Sequence, residues 1–343
     1  MQQFLNTLFV TTQQAYLYLD HDTIKVRIGG ADHLQMPLMH LFGVVCFGDV
    51  MVSPALIHKL AEQDQSLVFL DFNGRFKARI QGPTKGNVLL RKNQYFALLE
   101  KEKVISIARN IIAAKIKNSR HIILRAARET DDDAESSHLE KVAQKLNSSL
   151  LMLQNVSDLE QLRGIEGEAA KAYFETFNIM IRVDREHFKM NGRTKRPPLD
   201  PVNALLSFLY TLLLNDYVAA LEGVGLDPQV GFLHTLRPGR PALALDLMEE
   251  IRSVLADRLM LTLVNRKQIN ADEFELKPGG AVLLNDNSRK EVIIAYQKRK
   301  KEEIVHPLLD QKMPFGLIPH IQARILARYL RGDLQEYLPF IYK

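Results

Sequence analysis

The chain has 343 residues, of which 46% are hydrophobic and 25% are charged, with a net charge of +5 and a single cysteine. This length supports one large or two ordinary domains with a sizeable core, and the composition excludes a disordered or fibrous protein. The lone Cys46 excludes an internal disulfide and a cysteine-rich metal site.

Positive charge is concentrated in one part of the chain. Residues 73–125 include 13 Lys or Arg and only two Glu, which gives this segment a charge of +11. Such an excess is typical of a surface that binds a polyanion, and nucleic acid is the usual one. A solvated basic face, balanced by acidic segments elsewhere, is the alternative interpretation.

Neither a membrane span nor a secretory signal is predicted. The most apolar stretch, residues 204–214, stops at Asn215 and Asp216, short of the roughly 20 residues that cross a bilayer. The first residues lack the basic flank of a signal peptide. We therefore expect a cytoplasmic protein with no membrane among its partners.

The first 85 or so residues have the pattern of short strands. Ser53 is a good N-cap and Pro54 suits a first helical position, so one short helix is expected among them. Segments rich in β-branched or aromatic residues, separated by polar or glycine-containing turns, predict strands at 7–12, 15–20, 23–28, 43–48, 66–71 and 76–81.

The hydrophobic period changes after residues 81–87. From there, apolar residues recur every three or four positions, which predicts helices. One of these helices begins at Asp200 and Pro201 and ends at Gly223 or Gly225. The sequence therefore predicts an α+β protein, with a small β-rich domain over 1–86 and a larger all-α domain over 87–343.

One glutamate occupies a position where the helical pattern predicts an apolar residue. Ser157 and Glu160 form a capping box, and a helix from Leu159 places Glu166 in the middle of its inward face. Such a carboxylate must be paired, protonated or bound to a metal. A buried salt bridge, for example to Arg237, is the alternative to a metal site.

Two glycines beside Glu166 leave room for a close approach to the helix at this point. Gly164 and Gly167 flank Glu166, and each costs about 1 kcal/mol of helix propensity relative to alanine. Glycine allows another backbone or a ligand to approach closely.

A histidine and several carboxylates occur together in the segment 231–252. His234 alone is more often a core residue than a ligand. Asp246 and Glu249 are three residues apart on a predicted helix, so both can reach one site. The face opposite the apolar side of that helix, which has the pattern of a solvated face, carries Asp246, Glu249, Glu250, Ser253 and Asp257.

Taken together, three segments offer one set of ligands. Glu166, His234 and Glu249, with Asp246 beside them, provide carboxylates and one imidazole, which suit Mn²⁺ or Mg²⁺ better than structural zinc. An open site for such an ion beside a basic surface favours phosphodiester chemistry.

Four motifs occur in order along the chain, namely "SPALIHKL" with the strands after it, "LRGIEGEAAKAYF", "PVNALLSFLYTLL" and "GFLHTLRPGRPALALDLMEEIR". Together they resemble the CRISPR-associated integrase family, the metal-dependent DNA endonuclease of spacer acquisition. The tail "GDLQEYLPFIYK" resembles the subtype I-C branch.

The resemblance assigns roles to particular residues. It implies that Glu166, His234 and Glu249 are the metal ligands, with Asp246 as an acidic neighbour that the family often also uses. Glu250 is adjacent to Glu249, and the family motif selects Glu249.

The resemblance also implies an assembly and a reaction. The expected assembly is a homodimer, two of which flank a dimer of a small ferredoxin-like companion protein in a heterohexamer. It joins the 3′-OH ends of captured double-stranded DNA to a CRISPR repeat by transesterification, as part of antiviral defence. An iron–sulphur exonuclease is a possible further partner.

Basic residues of the segment 73–125 are candidates for contacts with the DNA backbone. Arg75, Arg79 and Arg91 are the first candidates, and a solvated or dimer-facing strand edge is the alternative. Tyr173 is a candidate for stacking on a splayed base, with core packing as the alternative. Cys46 lies in an apolar strand and is expected to be an inert core thiol.

Two other functions are compatible with parts of this pattern. One is a DNA-binding scaffold of the same complex that has lost catalysis. The other is a metallohydrolase of small phosphates, which leaves the excess of basic residues unexplained. No P-loop, nucleophile elbow or dinucleotide-binding fingerprint is present in the sequence.

Overall fold

The computed structural model describes residues 7–41, 43–63, 65–71, 76–80, 82 and 88–342. The chain divides into two compact units, residues 1–86 and 87–343. This division falls where the hydrophobic period of the sequence changes. The first unit is rich in strands and the second is mostly helical, which confirms the predicted α+β class.

The first unit contains eight described strands and one helix in two four-stranded sheets. Its elements are β1 (Thr7–Val10), β2 (Ala15–Asp20), β3 (Thr23–Ile28), β4 (Ala31–Pro37), β5 (Gly43–Phe47), β6 (Val50–Val52), α1 (Pro54–Glu62), β7 (Ser66–Leu70) and β8 (Phe76–Ile80). One sheet has the order β1-β5-β7-β8, and the other has the order β4-β3-β2-β6. Both sheets mix parallel and antiparallel pairs, such as parallel β5–β7 and antiparallel β2–β3.

All six predicted strands of this unit are present, and the sequence pattern missed two others. Strand β4 is almost fully exposed, so neither of its faces needs a regular apolar pattern. Strand β6 has three residues, which is too short for a periodic pattern. The Ser53 hydroxyl caps α1 as predicted by accepting a hydrogen bond from the Leu56 amide.

The second unit contains ten helices and two β-hairpins among the residues described. Its elements are α2 (Val88–Ala97), α3 (Lys101–Glu129), α4 (Asp133–Met152), α5 (Leu159–Glu175), α6 (Phe177–Met180), α7 (Pro201–Val224), α8 (Ala242–Arg252), α9 (Arg258–Asn265), β9 (Phe274–Leu276), β10 (Val282–Leu284), α10 (Asp286–Lys301), β11 (Glu303–His306), β12 (Gln311–Pro314) and α11 (Ile318–Arg331). The expectation of an all-α unit missed both hairpins, whose strands have three or four residues each.

Helix α3 lies against α4, α5 and α8, while α7 packs against α8 and α11. A five-residue π-helical turn, Ser253–Asp257, joins α8 to α9. Since α8 has neighbours on several sides, its polar residues are buried as well as its apolar ones. The predicted solvated face is therefore wrong, because Asp246, Glu249, Glu250, Ser253 and Asp257 are all buried.

Helix α7 has the bounds that the sequence predicts. It begins at Pro201 and ends before Gly225, whose φ of 91° is the left-handed conformation typical of a helix C-terminus. By length and composition it is the one helix in the described residues that could cross a membrane. Most of its apolar residues are buried against α8 and α11, as in the core helix of a folded unit.

Candidate metal centre

Glu166 lies on α5, and its partner comes from the neighbouring helix α3. The α5 N-cap is Asp158 rather than Ser157, because the Asp158 carboxylate accepts hydrogen bonds from the amides of Glu160 and Gln161. The predicted capping box of Ser157 and Glu160 is therefore wrong, and the Glu160 carboxylate pairs with Arg163 instead. Glu166 is 26% exposed and forms an ion pair with Lys115 of α3, so the partner is not Arg237.

The glycines beside Glu166 leave open space. A Cβ atom at Gly164 or Gly167 would meet no other atom within 4 Å. No second backbone of the described chain therefore approaches this turn of α5, and the space above it remains available to a ligand.

Glu249 lies on α8 between two basic side chains. Its Oε1 accepts a hydrogen bond from Arg252 Nη1 at 2.8 Å, and its Oε2 lies 2.8 Å from Lys115 Nζ. Burial alone would raise the pKa of the carboxyl, but the charges of Arg252, Lys115 and His234 lower that pKa to about 2. The neighbouring positive charges therefore favour the ionised form of Glu249.

His234 is oriented by Asp246. The Asp246 carboxylate is fully buried and accepts hydrogen bonds from three successive amides, those of Phe232, Leu233 and His234. It also lies 2.7 Å from His234 Nδ1. With Nδ1–H donated to the carboxylate, Nε2 is the ring nitrogen left as a potential ligand, as in the carboxylate–histidine pairs of metal sites.

The loop that carries His234 also depends on a glycine. A Cβ atom at Gly231 would come within 2.6 Å of both the Ala242 backbone and the Asp246 carboxylate. Gly231 therefore allows the loop to approach the start of α8 closely enough for its amides to reach Asp246.

Glu250, the neighbour of Glu249, faces a different part of the unit. Its carboxyl accepts hydrogen bonds from Gln322 Nε2 at 2.9 Å and from the Phe340 amide at 2.8 Å. It also accepts one from the Tyr337 hydroxyl. The two adjacent glutamates thus point apart, and only Glu249 faces Glu166.

The structure brings Glu166 and Glu249 together on one cation, the ammonium of Lys115. In the described part of the chain, no three His, Cys, Asp or Glu side chains are arranged to hold a metal ion as they stand. The donor set nevertheless fits a hard divalent ion, because two carboxylates already converge on one positive charge. Glu249 Oε2 also accepts no well-aligned hydrogen bond despite its burial.

Behind Glu249 lies a buried polar network that the sequence pattern did not predict. Asp257, in the π-helical turn, accepts hydrogen bonds from the Tyr210 hydroxyl at 2.5 Å and the Tyr173 hydroxyl at 3.0 Å. The Arg252 guanidinium lies 4.9 Å from the centre of the Tyr210 ring, a cation–π distance. This network holds the guanidinium that pairs with Glu249.

Tyr173 is therefore a core residue in this structure. It is only 2% exposed and its hydroxyl is bound to Asp257. The prediction that it stacks on a DNA base is wrong here, because neither face of the ring is accessible.

The predicted phosphate-contacting arginines lie in different parts of the chain. Arg79 is in β8 and Arg91 in α2, both partly exposed, while Arg75 lies outside the described residues. The sequence pattern did not select the loop around Lys195. Lys195 is exposed in this loop, and desolvation and the charge of Arg252 lower the pKa of its ammonium.

Residues 8–298 match the family model described as "CRISPR associated protein Cas1". The CRISPR-associated endonuclease Cas1 1 of Moorella thermoacetica is 56% identical over 343 residues, which is the whole of both chains.

Two solved structures share the fold. A Cas6-RT-Cas1–Cas2 complex superposes with a TM-score of 0.84 at 22% identity, over 100% of this chain and 37% of the other. A casposase bound to an integration product superposes with a TM-score of 0.84 at 19% identity, over 99% of this chain and 95% of the other. From its family match and its sequence identity to an endonuclease of the same length, this chain belongs to the Cas1 family of CRISPR-associated proteins.

Proposed function

We propose that this protein is a metal-dependent DNA endonuclease and integrase, which inserts captured DNA fragments as new spacers into a CRISPR array in antiviral defence. The observation that carries this proposal is the convergence of Glu166 and Glu249 on one cation position, with His234 held by Asp246 nearby. The family relationship supports the nuclease class.

Glu166, Glu249 and His234 Nε2 would hold the ion, Mn²⁺ or Mg²⁺. When bound, such an ion polarises the scissile phosphate and stabilises charge on the attacking and leaving oxygens. Asp246 orients the imidazole and fixes its tautomer, and Arg252 keeps Glu249 ionised and in place. These residues contribute positioning and electrostatics, which carry most of the catalysis in phosphoryl transfer.

In integration, the nucleophile is the 3′-OH of the captured fragment. Its oxygen forms a new ester bond with the phosphorus of the target strand, and the opposite P–O bond breaks to release a new 3′-OH. With water as the nucleophile, the same bond is hydrolysed, which accounts for the endonuclease activity named for the relatives. Basic side chains such as Lys195 would hold the DNA backbone near the site.

The proposed assembly follows the same family relationship. We propose a cytoplasmic homodimer that binds a small ferredoxin-like companion in a heterohexamer, with an iron–sulphur exonuclease as a further partner in the subtype I-C branch. The fold likeness to a Cas1 that is in complex with Cas2 supports a companion of this kind. The first unit would serve dimerisation and DNA contact, and the second would serve catalysis.

A second candidate is an inactive DNA-binding scaffold of the same complex. The Lys115 ion pairs favour it, because they already compensate the charges of Glu166 and Glu249 without any metal. In that case Glu166 is only a partner in a salt bridge, and the basic surface is the functional part of the chain.

The experiment is joining of a labelled short duplex to a plasmid that carries a repeat, with the companion protein and Mn²⁺ or Mg²⁺. Wild type is compared with Glu166→Ala, His234→Ala and Glu249→Gln. Glu250→Gln is the matched control, because it makes the same change one residue away on a carboxyl that faces the C-terminal segment. We expect all the variants to bind DNA, and only wild type and the control to join it.

Two results would overturn parts of this proposal. If Glu249→Gln joins DNA and Glu250→Gln does not, the wrong carboxylate has been selected. If wild type binds DNA but never cuts or joins it with either metal, the protein is a scaffold.

A further inference from the structure

Lys115 is a buried charged residue with two anionic partners. It lies on α3 among the buried residues Ile111, Ile112 and Ile116, and its side chain is 8% exposed. Its ammonium lies 2.8 Å from Glu249 Oε2 and forms a second ion pair with Glu166 Oε1. Burial of an ammonium at this depth requires such compensation.

The two acidic and two basic side chains of this cluster have no net charge. Glu166 and Glu249 carry two negative charges, and Lys115 and Arg252 carry two positive ones. A divalent ion added to this cluster would leave two uncompensated positive charges in a largely buried site. The electrostatic cost of that state is high at low effective dielectric.

The position of the ammonium also argues against simultaneous binding of Lys115 and a divalent ion by the two carboxylates. Glu166 and Glu249 would hold a hard divalent ion with the carboxylates that now pair with Lys115. Lys115 Nζ already lies between them and within 2.8 Å of one of them. The ammonium and the ion cannot both be bound there.

We infer that Lys115 is an internal counter-cation, which holds Glu166 and Glu249 together in the metal-free protein and must withdraw from between them when the divalent ion binds. This inference rests on the ligand set of the proposed function. A lysine suits the task, because its charge is compact and its four-carbon stem is flexible. Glu166 is the more exposed of the two carboxylates, so the stem has a path to solvent on that side.

The test is a calorimetric titration of the full-length protein with Mn²⁺, together with thermal unfolding with and without the metal. Lys115→Met removes the competing charge, so we expect Mn²⁺ to bind about tenfold more tightly or better. The metal-free variant should melt at a lower temperature than wild type, since Glu166 loses its basic partner and Glu249 keeps only Arg252. Saturating Mn²⁺ should then raise its melting temperature by more than it does for wild type.

Three variants serve as controls. Lys117→Met makes the same change two residues away, at an exposed position of α3, and should bind Mn²⁺ as wild type does. Lys115→Arg retains a cation and should bind the metal no more tightly than wild type. Lys115→Gln removes the charge but keeps a hydrogen-bond donor, so it should also bind more tightly even if the methionine variant fails to fold.

Unchanged or weaker Mn²⁺ binding by the folded neutral variants would overturn the inference. Glu166→Gln and Glu249→Gln separate this result from failure of the proposed function. If both leave Mn²⁺ binding intact, the ligand set itself is wrong. If both weaken it while Lys115→Met and Lys115→Gln do not tighten it, only the role given to Lys115 fails.

Discussion

The Tyr337 hydroxyl donates a hydrogen bond to the carboxyl of Glu250, which ties the C-terminal segment to the helix that carries Glu249. Gln322 and the Phe340 amide bind the same carboxyl. Asn118 of α3 extends the connection, because its side chain donates to the carbonyls of Glu250 and Phe340. The last residues of the chain therefore brace α8 one residue away from the proposed metal ligand.

The free energy of unfolding should decrease as the pH rises, because Glu250 is buried. Burial raises the pKa of this carboxyl from 4.5 to about 8, against the hydrogen bonds from Phe340, Tyr337 and Gln322, which lower it. Between those two values the folded protein holds a proton that the unfolded chain releases. This contribution to the free energy of unfolding is complete below the pKa of the unfolded state. It is lost as the pH rises through the pKa of the folded state.

Glu250→Gln mimics the neutral carboxyl and should remove this part of the pH dependence. Between pH 5.5 and 7.5, the free energy of unfolding of wild type should drop by about 1–3 kcal/mol relative to the variant. Denaturant unfolding at several pH values measures the difference. Parallel curves for the two proteins would show that Glu250 is ionised in the folded state.

Loss of the Tyr337 hydroxyl should destabilise the second unit. Tyr337→Phe removes one buried donor from Glu250 and should lower the free energy of unfolding by about 1–3 kcal/mol. Tyr342→Phe is the control in the same segment, because its hydroxyl accepts a single, partly buried hydrogen bond from Arg258. Chemical denaturation followed by circular dichroism should give a smaller loss for Tyr342→Phe. Equal losses would contradict a specific role for Tyr337.

Asp246→Asn should weaken metal binding without removing a proposed ligand. The amide cannot accept from three backbone amides and from His234 Nδ1–H as the carboxylate does. The imidazole should lose its fixed orientation, and we expect Mn²⁺ affinity to fall about 10- to 100-fold in a calorimetric titration. Asp184→Asn is the control, since Asp184 pairs with His187 at an exposed position. Undiminished Mn²⁺ affinity in the Asp246 variant would exclude this positioning role.

Cys46 should be unreactive in the folded protein. It is completely buried in β5, and burial raises the pKa of its thiol to about 12. The thiolate that reacts with a disulfide reagent is therefore scarce at neutral pH. Labelling should be negligible under native conditions and stoichiometric in denaturant. Rapid native labelling would show that the core of the first unit opens easily.

The sequence pattern identified Glu166 because a charged residue interrupts an apolar stripe. The same signal is present at Lys115, which lies among isoleucines on α3, so the two residues could have been matched as partners. Their contact depends on α3 lying against both α5 and α8, which no local period specifies. For the same reason the carboxylates of α8 were wrongly predicted to be solvated. A helix that is surrounded on several sides can bury polar residues, provided that partners such as Arg252, Gln322 and the 232–234 amides are supplied.

DNA binding should depend steeply on salt, and single arginines should contribute measurably to the slope. Each phosphate contact adds about 0.9 to the slope of log affinity against log salt concentration. If Arg79 and Arg91 contact the backbone, Arg79→Gln and Arg91→Gln should each reduce that slope by about one and weaken binding regardless of sequence.

Lys141→Gln is the matched control, because Lys141 is exposed on α4 outside the basic segment 73–125. Fluorescence anisotropy with a labelled duplex, at salt concentrations of about 50–300 mM, gives the slope of log affinity against log salt concentration. A slope unchanged in the arginine variants would place their charges on a solvated or dimer-facing surface. In that case Lys195, an exposed residue whose pKa is lowered by desolvation and the charge of Arg252, becomes the next residue to neutralise.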